Sequence, residues 1–151
     1  MTKIRITKEF HFEMAHALLN YDGLCSSIHG HSYLLSVTII GEPINDNTHP
    51  KNGMVIDFTL LKGIIKENIV NKLDHALLLN AQMQDKENLR TNKLFERVLF
   101  TEYQPTCENL LADFAFILKD KFPKMVKLYS LKLKETATSY AEWYADDNEK
   151  V

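Results

Sequence analysis

Cysteine is nearly absent from this chain of 151 residues: Cys25 and Cys107 are the only two. A pair of cysteines builds no disulfide framework, which excludes a small secreted scaffold held by cross-links. Glycine is scarce as well. Gly23, Gly30, Gly41, Gly53 and Gly63 fit neither a Walker loop nor a dinucleotide-binding fingerprint. No His-Glu-x-x-His, Cys-x-x-Cys or Asn-x-Ser/Thr occurs. Neither charge dominates, with 18 Lys+Arg against 20 Asp+Glu and a net charge of -2. Nothing in that balance points to nucleic acid or to an anionic membrane. No apolar run approaches the roughly 18 residues of a membrane-spanning helix. The opening MTKIRITKEF alternates charged and apolar residues, so it reads as a strand and not as a signal peptide. A soluble protein in a reducing, cytoplasmic setting is the simplest expectation.

What is present is enough for one core. Hydrophobic residues make up 45% and charged residues 25% of the chain, an ordinary globular balance. No repeat or linker interrupts it, and the expectation is a single domain over residues 1–151.

Ile4, Ile6, Phe10, Phe12 and Met14 share even parity, which predicts a strand with one buried face. Residues 17–28 carry loop chemistry: Asn20, Asp22, Gly23 and Ser26. Tyr33, Leu35, Val37 and Ile39 mark a second strand, antiparallel to the first. The spacing of Leu60, Leu61, Ile64, Ile65, Ile69 and Leu73 predicts a helix over 59–73, capped by Asp57 or Thr59. Residues 81–96 read as loop with a short helix, and 97–103 as a short strand. A second helix starts at Pro105 and Thr106 and carries Leu110, Leu111, Phe114, Ile117, Leu118 and Phe122. A third main strand holds Met125, Tyr129, Leu131 and Leu133 on odd parity. A fourth lies around Tyr140–Tyr144. The order β-β-α-α-β-β predicts an α+β fold, with an antiparallel sheet and helices on one face.

Histidine carries the chemistry. His29 and His31 are two apart, so on a strand both rings leave one face. His16 continues the apolar parity of the first strand. If the strands pair antiparallel, their facing ends bring His16 beside His29 and His31. Three neutral imidazoles suit zinc and leave a fourth position open, the catalytic pattern. The same His-x-His also fits a turn with two exposed rings, and spacing goes no further. Cys25, four residues before His29, is either a fourth ligand closing the site or a free thiol beside positive charge. Asp74-His75 ends the first helix. It is either a carboxylate fixing an imidazole or a helix C-terminus with a well-placed histidine. Glu135 shares the parity of Leu131 and Leu133, which puts a carboxylate on the buried side unless the stripe has ended. Such a group suits a ligand with a planar row of N–H donors. Glu108, in the first turn of the second helix, is explained by the helix dipole alone.

Six ordered motifs resemble the 6-pyruvoyltetrahydropterin synthase and 6-carboxytetrahydropterin synthase family. They are Phe12-Glu13-Met14-Ala15-His16, Cys25 through Tyr33, Gly53 through Phe58, Leu73-Asp74-His75, Pro105 through Asn109, and Lys134-Glu135-Thr136. The resemblance implies the tunnelling fold, with a four-stranded antiparallel sheet backed by two helices. It implies a homohexamer whose sheets form barrels, with active sites between subunits. It implies zinc on His16, His29 and His31, and Cys25 as the proton-transfer residue poised by Asp74 and His75. Glu135 would anchor the pterin ring, and Glu108 and Thr106 would be further substrate contacts.

The short Cys25-to-His29 spacing is similar to the bacterial carboxy-type branch of queuosine and deazapurine synthesis. That branch is a lyase converting 7,8-dihydroneopterin triphosphate to 6-carboxytetrahydropterin, acetaldehyde and triphosphate. The pyruvoyl-type reaction, which keeps the side chain whole, is the alternative. A zinc- or pterin-binding module without catalysis is the reading from outside enzymology. Two departures from the family pattern concern the rim of the pocket. Leu77-Leu78-Leu79-Asn80 holds one residue more than usual, and the stretch 81–104 is long.

Overall fold

A computed structural model describes residues 2–148. Two long strands organise the chain. β1 (Ile4–His16) and β2 (His29–Gly41) pair antiparallel along their whole length, with Phe12 opposite Tyr33, Met14 opposite His31 and His16 opposite His29. Their alternation works as the sequence predicts from Phe10 onward, while Ile4 at the start of β1, also expected on the buried face, is exposed. Phe10, Phe12, Met14, Tyr33, Leu35, Val37 and Ile39 are buried on one face, and Glu9, His11 and Glu13 are exposed on the other.

Two helices cover the buried face. α1 (Phe58–Ile65) is capped by Asp57, whose carboxylate accepts from the Thr59 N–H at 2.7 Å. It runs on through a π-helical turn at Lys66–Val70 and a last turn at Asn71–Leu73. One core joins Leu61, Ile65 and Ile69 from this run to Leu110, Phe114 and Leu118 of the second main helix. That helix, Cys107–Leu118, has Thr106 as its N-cap.

The sheet is larger than expected. It has six strands and is mixed, not a four-stranded antiparallel sheet. β3 (Ala76–Asn80) runs parallel to the end of β1, and β4 (Val98–Thr101) runs parallel to β3. Between them lies the short helix α2 (Lys86–Thr91), so the Cys107–Leu118 helix is α3. β5 (Val126–Lys134) and β6 (Tyr140–Tyr144) complete the order β4-β3-β1-β2-β5-β6. The additions have a packing reason. Every residue of β3 is buried, because Leu78 faces the main core while Leu77 and Leu79 face a second one. That second core sits on the opposite face of the sheet, where Met83, Leu89 and Phe95 pack on Ala17, Leu77 and Leu79. The long 81–96 stretch therefore shields the far side of the extra strands.

The stripe expected on β5 is also corrected. Val126 and Leu128 are buried, then Leu131 and Leu133, while Met125 is exposed. The β2–β5 register shifts between Thr38 and Ile39, which pair with Ser130 and Leu128. Tyr129 is the extra residue of this bulge, and parity reverses there.

Candidate metal centre and active site

The direct pairing of His16 with His29, and of Met14 with His31, gathers three imidazoles at one end of the β1–β2 ladder. Residues opposite each other in an antiparallel pair put their side chains on the same face. One ligand nitrogen from each ring lies within 4.8 Å of the others. Ring centroids are 4.5, 5.0 and 5.1 Å apart. His16 is fully buried and the other two are half-buried.

Backbone carbonyls fix two of the rings. His16 Nδ1 lies 2.7 Å from the Pro105 carbonyl, and His29 Nδ1 lies 2.8 Å from the Ser27 carbonyl. A carbonyl only accepts, so both Nδ1 atoms carry the proton. In the neutral rings Nε2 then bears a lone pair, and the two Nε2 atoms face each other at 3.0 Å. Two lone pairs at that separation repel unless a cation lies between them. Burial holds His16 below its ordinary range, the Pro105 carbonyl opposes this, and His29 adds to the lowering. The ring stays neutral, the form that ligates metal. A carbonyl on the far nitrogen is also the usual outer support of a metal-ligating histidine. The donor set therefore fits a metal ion, and zinc is among the ions that imidazoles suit.

Glu135 closes the group. It follows β5 directly, and its N–H donates to the Ser139 carbonyl at 3.1 Å across the turn to β6. Its Oε1 lies 3.7 Å from Nε2 of both His16 and His31. Tyr33, wholly buried, donates its hydroxyl to the same oxygen at 3.1 Å. Burial, and then the Glu135 charge, push the Tyr33 hydroxyl far above its ordinary range, so it stays a donor. Cys107 lies behind, with Sγ 3.2 Å from the Leu133 carbonyl. Burial pushes its thiol up to about 11, which makes it an inert packing residue.

The other predicted residues fall into two places. Cys25 is half-buried in a short 3-10 turn, Leu24–Ser26, outside the three-imidazole group. Gln104 ties this loop to the start of α3 through both the N–H and the carbonyl of Leu19. Asp74 and His75 sit at the other edge of β1, just before β3. Asp74 Oδ1 accepts from the Glu13 N–H at 2.9 Å, and the His75 N–H donates to the Glu13 carbonyl at 2.6 Å. Among the described residues no hydrogen bond or ion pair joins this dyad to Cys25 or to the triad. The Thr106 hydroxyl caps α3 by accepting from the Asn109 N–H at 3.3 Å, and Glu108 is exposed in the first turn.

Sequence reasoning missed Tyr33 as the partner of Glu135 and Glu13 as the anchor of the dyad. Tyr33 shares the parity of His29 and His31, and that was a usable signal. Glu13 acts through its backbone, which no residue pattern reports.

Comparison with known proteins agrees with this architecture. The family described as 6-pyruvoyl tetrahydropterin synthase matches residues 5–146. A Haemophilus influenzae protein named 6-carboxy-5,6,7,8-tetrahydropterin synthase is 36% identical over 141 residues, covering 92% of this chain and 97% of its own. A Synechocystis protein of the same name is 32% identical over 141 residues, covering 93% and 92%. The solved 6-pyruvoyl tetrahydropterin synthase of Caenorhabditis elegans superposes with a TM-score of 0.66 at 22% identity, covering 96% of this chain and 97% of that one. At that identity the likeness shows the fold, which is the tunnelling fold expected from the sequence. The match over nearly the whole length, together with this fold, makes the chain a member of the 6-pyruvoyl tetrahydropterin synthase family.

Proposed function

We propose that the chain is a zinc-dependent 6-carboxy-5,6,7,8-tetrahydropterin synthase acting on 7,8-dihydroneopterin triphosphate. The observation that carries the reading is the convergence of three metal-competent imidazoles beside the Glu135 carboxylate. The names of its relatives and the short Cys25-to-His29 spacing favour the carboxy-type product.

Zinc held by His16, His29 and His31 would supply Lewis acidity toward oxygens of the substrate side chain. Glu135 would accept the paired N–H donors of the pterin edge, since a carboxylate receives two parallel bonds. Thr106 and Glu108, on the turn whose Pro105 carbonyl holds His16, would contribute further contacts. Cys25 would remove and return side-chain protons as a thiolate. Asp74 and His75 would relay those protons, supplied to Cys25 by a neighbouring subunit. Triphosphate leaves by elimination, and addition of one water then breaks the side-chain carbon–carbon bond, leaving the 6-carboxy group on the pterin and releasing acetaldehyde. We propose a homohexamer built through the sheets, and a reducing cytoplasmic setting in keeping with two free thiols.

The test is to incubate zinc-loaded protein with 7,8-dihydroneopterin triphosphate and identify the products by mass. A 6-carboxy product supports the reading. A 6-pyruvoyl product moves the chain to the other branch, and an intact substrate beside bound zinc points to a binding module.

A further inference from the structure

Glu135 alone does not fix which way its carboxylate faces. It follows the last residue of β5, its side chain is 23% exposed, and among the described residues no cation pairs with it at hydrogen-bond distance. Its one side-chain hydrogen bond among those residues is with Tyr33. Tyr33 is far more constrained. It has no exposed surface, stacks on Phe12 at 5.2 Å with an interplanar angle of 12°, and meets His31 edge-on at 5.6 Å and His16 at 6.4 Å. A ring held on three sides aims its hydroxyl in one direction. The hydroxyl occupies one lone pair of Oε1 and leaves the other three or so acceptor positions of the carboxylate for a ligand.

We propose that Tyr33 is a positioning residue that sets the Glu135 carboxylate for a ligand edge carrying two parallel N–H donors, and that it fixes this edge relative to the imidazole triad. The inference rests on Glu135 being the pterin anchor. It gives Tyr33 a part in substrate specificity beyond its part in the core.

The experiment compares binding of a pterin with that of the matching lumazine, which carries an oxo group in place of the 2-amino group. Calorimetry on metal-free and zinc-loaded protein gives the ratio of the two dissociation constants for wild type, Tyr33→Phe, Glu135→Gln and the double variant. The expected result is a preference for pterin that falls about tenfold or more in Tyr33→Phe, as fits the loss of a hydrogen bond to a charged group. The same substitution in the Glu135→Gln background should leave the ratio unchanged, because its effect runs through Glu135. Equal weakening of both ligands by Tyr33→Phe, or an unchanged ratio, overturns the proposal and leaves the Glu135 anchor standing. An unchanged ratio in Glu135→Gln overturns the anchor itself, and the Tyr33 proposal falls with it. Because Phe keeps the stacked ring, the thermal midpoint should stay near wild type. A collapse of that midpoint together with both affinities would mark Tyr33 as structural only.

Discussion

Asp74 and His75 are neighbours in sequence and their side chains touch, with Oδ1 and Nδ1 3.1 Å apart. Adjacent side chains diverge on a regular helix. Here the helix has just ended at Leu73, and His75 takes a left-handed backbone with φ of 61°. A histidine in that region costs strain unless the surroundings hold it. The Glu13 backbone does so, bonding Asp74 through its N–H and His75 through its carbonyl.

This anchoring makes a pH prediction. The Glu13 N–H, and then His75, hold the Asp74 carboxyl below its ordinary value of 3.8. A carboxyl depressed in the folded state contributes stability that is whole above the unfolded value and is lost as pH falls through the folded one. Asp74 is partly exposed, so solvent screens the effect to about 1 kcal/mol or less. Asp74→Ala should therefore melt below wild type above pH 5. The gap should narrow as pH drops below about 4. A gap that is constant from pH 7 to pH 2.5 would contradict the bond.

Removal of one imidazole should remove the metal. His29→Ala should lower zinc from one ion per chain toward zero in dialysed protein, since two histidines leave a weak site. His16→Ala should do the same and also destabilise the apo protein by roughly 2 kcal/mol, because it empties a buried site and strands the Pro105 carbonyl. Full zinc occupancy in His29→Ala by atomic absorption would overturn the three-histidine assignment.

Cys25 should behave differently. Cys25→Ala should keep its zinc, because the thiol lies outside the ligand group. It should lose turnover by about 10²–10⁴-fold, the usual share of a proton-transfer residue. Loss of zinc in this variant would make Cys25 a ligand.

The proposal that a neighbouring subunit supplies the dyad to Cys25 predicts complementation. Cys25→Ala and His75→Ala proteins, each inactive, should regain about one quarter of wild-type activity when unfolded together and reassembled in equal amounts, as expected for sites shared between two protomers. No recovery, with mixed oligomers formed, would place all catalytic groups in one chain.

Much of this site is legible in the sequence because strands have period two. The parity of Met14 and His16, of His29, His31 and Tyr33, and of Leu133 and Glu135 points those residues to one face, while the alternatives of a turn at His29–His31 and of an ended stripe at Glu135 are decided only by the strand pairing. The edge strands β4 and β6 are legible, as the short strand over 97–103 and the one around Tyr140–Tyr144, but β3 between β4 and β1 is not. Ala76 through Asn80 are buried on both faces and show no alternation, the signature of a parallel strand. Tyr129 hides a parity reversal, because a bulge follows from pairing and not from composition. Adjacency of Asp74 and His75 argues against contact on a regular helix, and the left-handed residue that permits it has no mark in the sequence.

The most direct test of the account is the stoichiometry of release. Zinc-loaded protein is given 7,8-dihydroneopterin triphosphate, and acetaldehyde and triphosphate are measured over the same turnovers. Equal amounts of both are expected, with 6-carboxytetrahydropterin as the pterin product. Triphosphate released without acetaldehyde would contradict it.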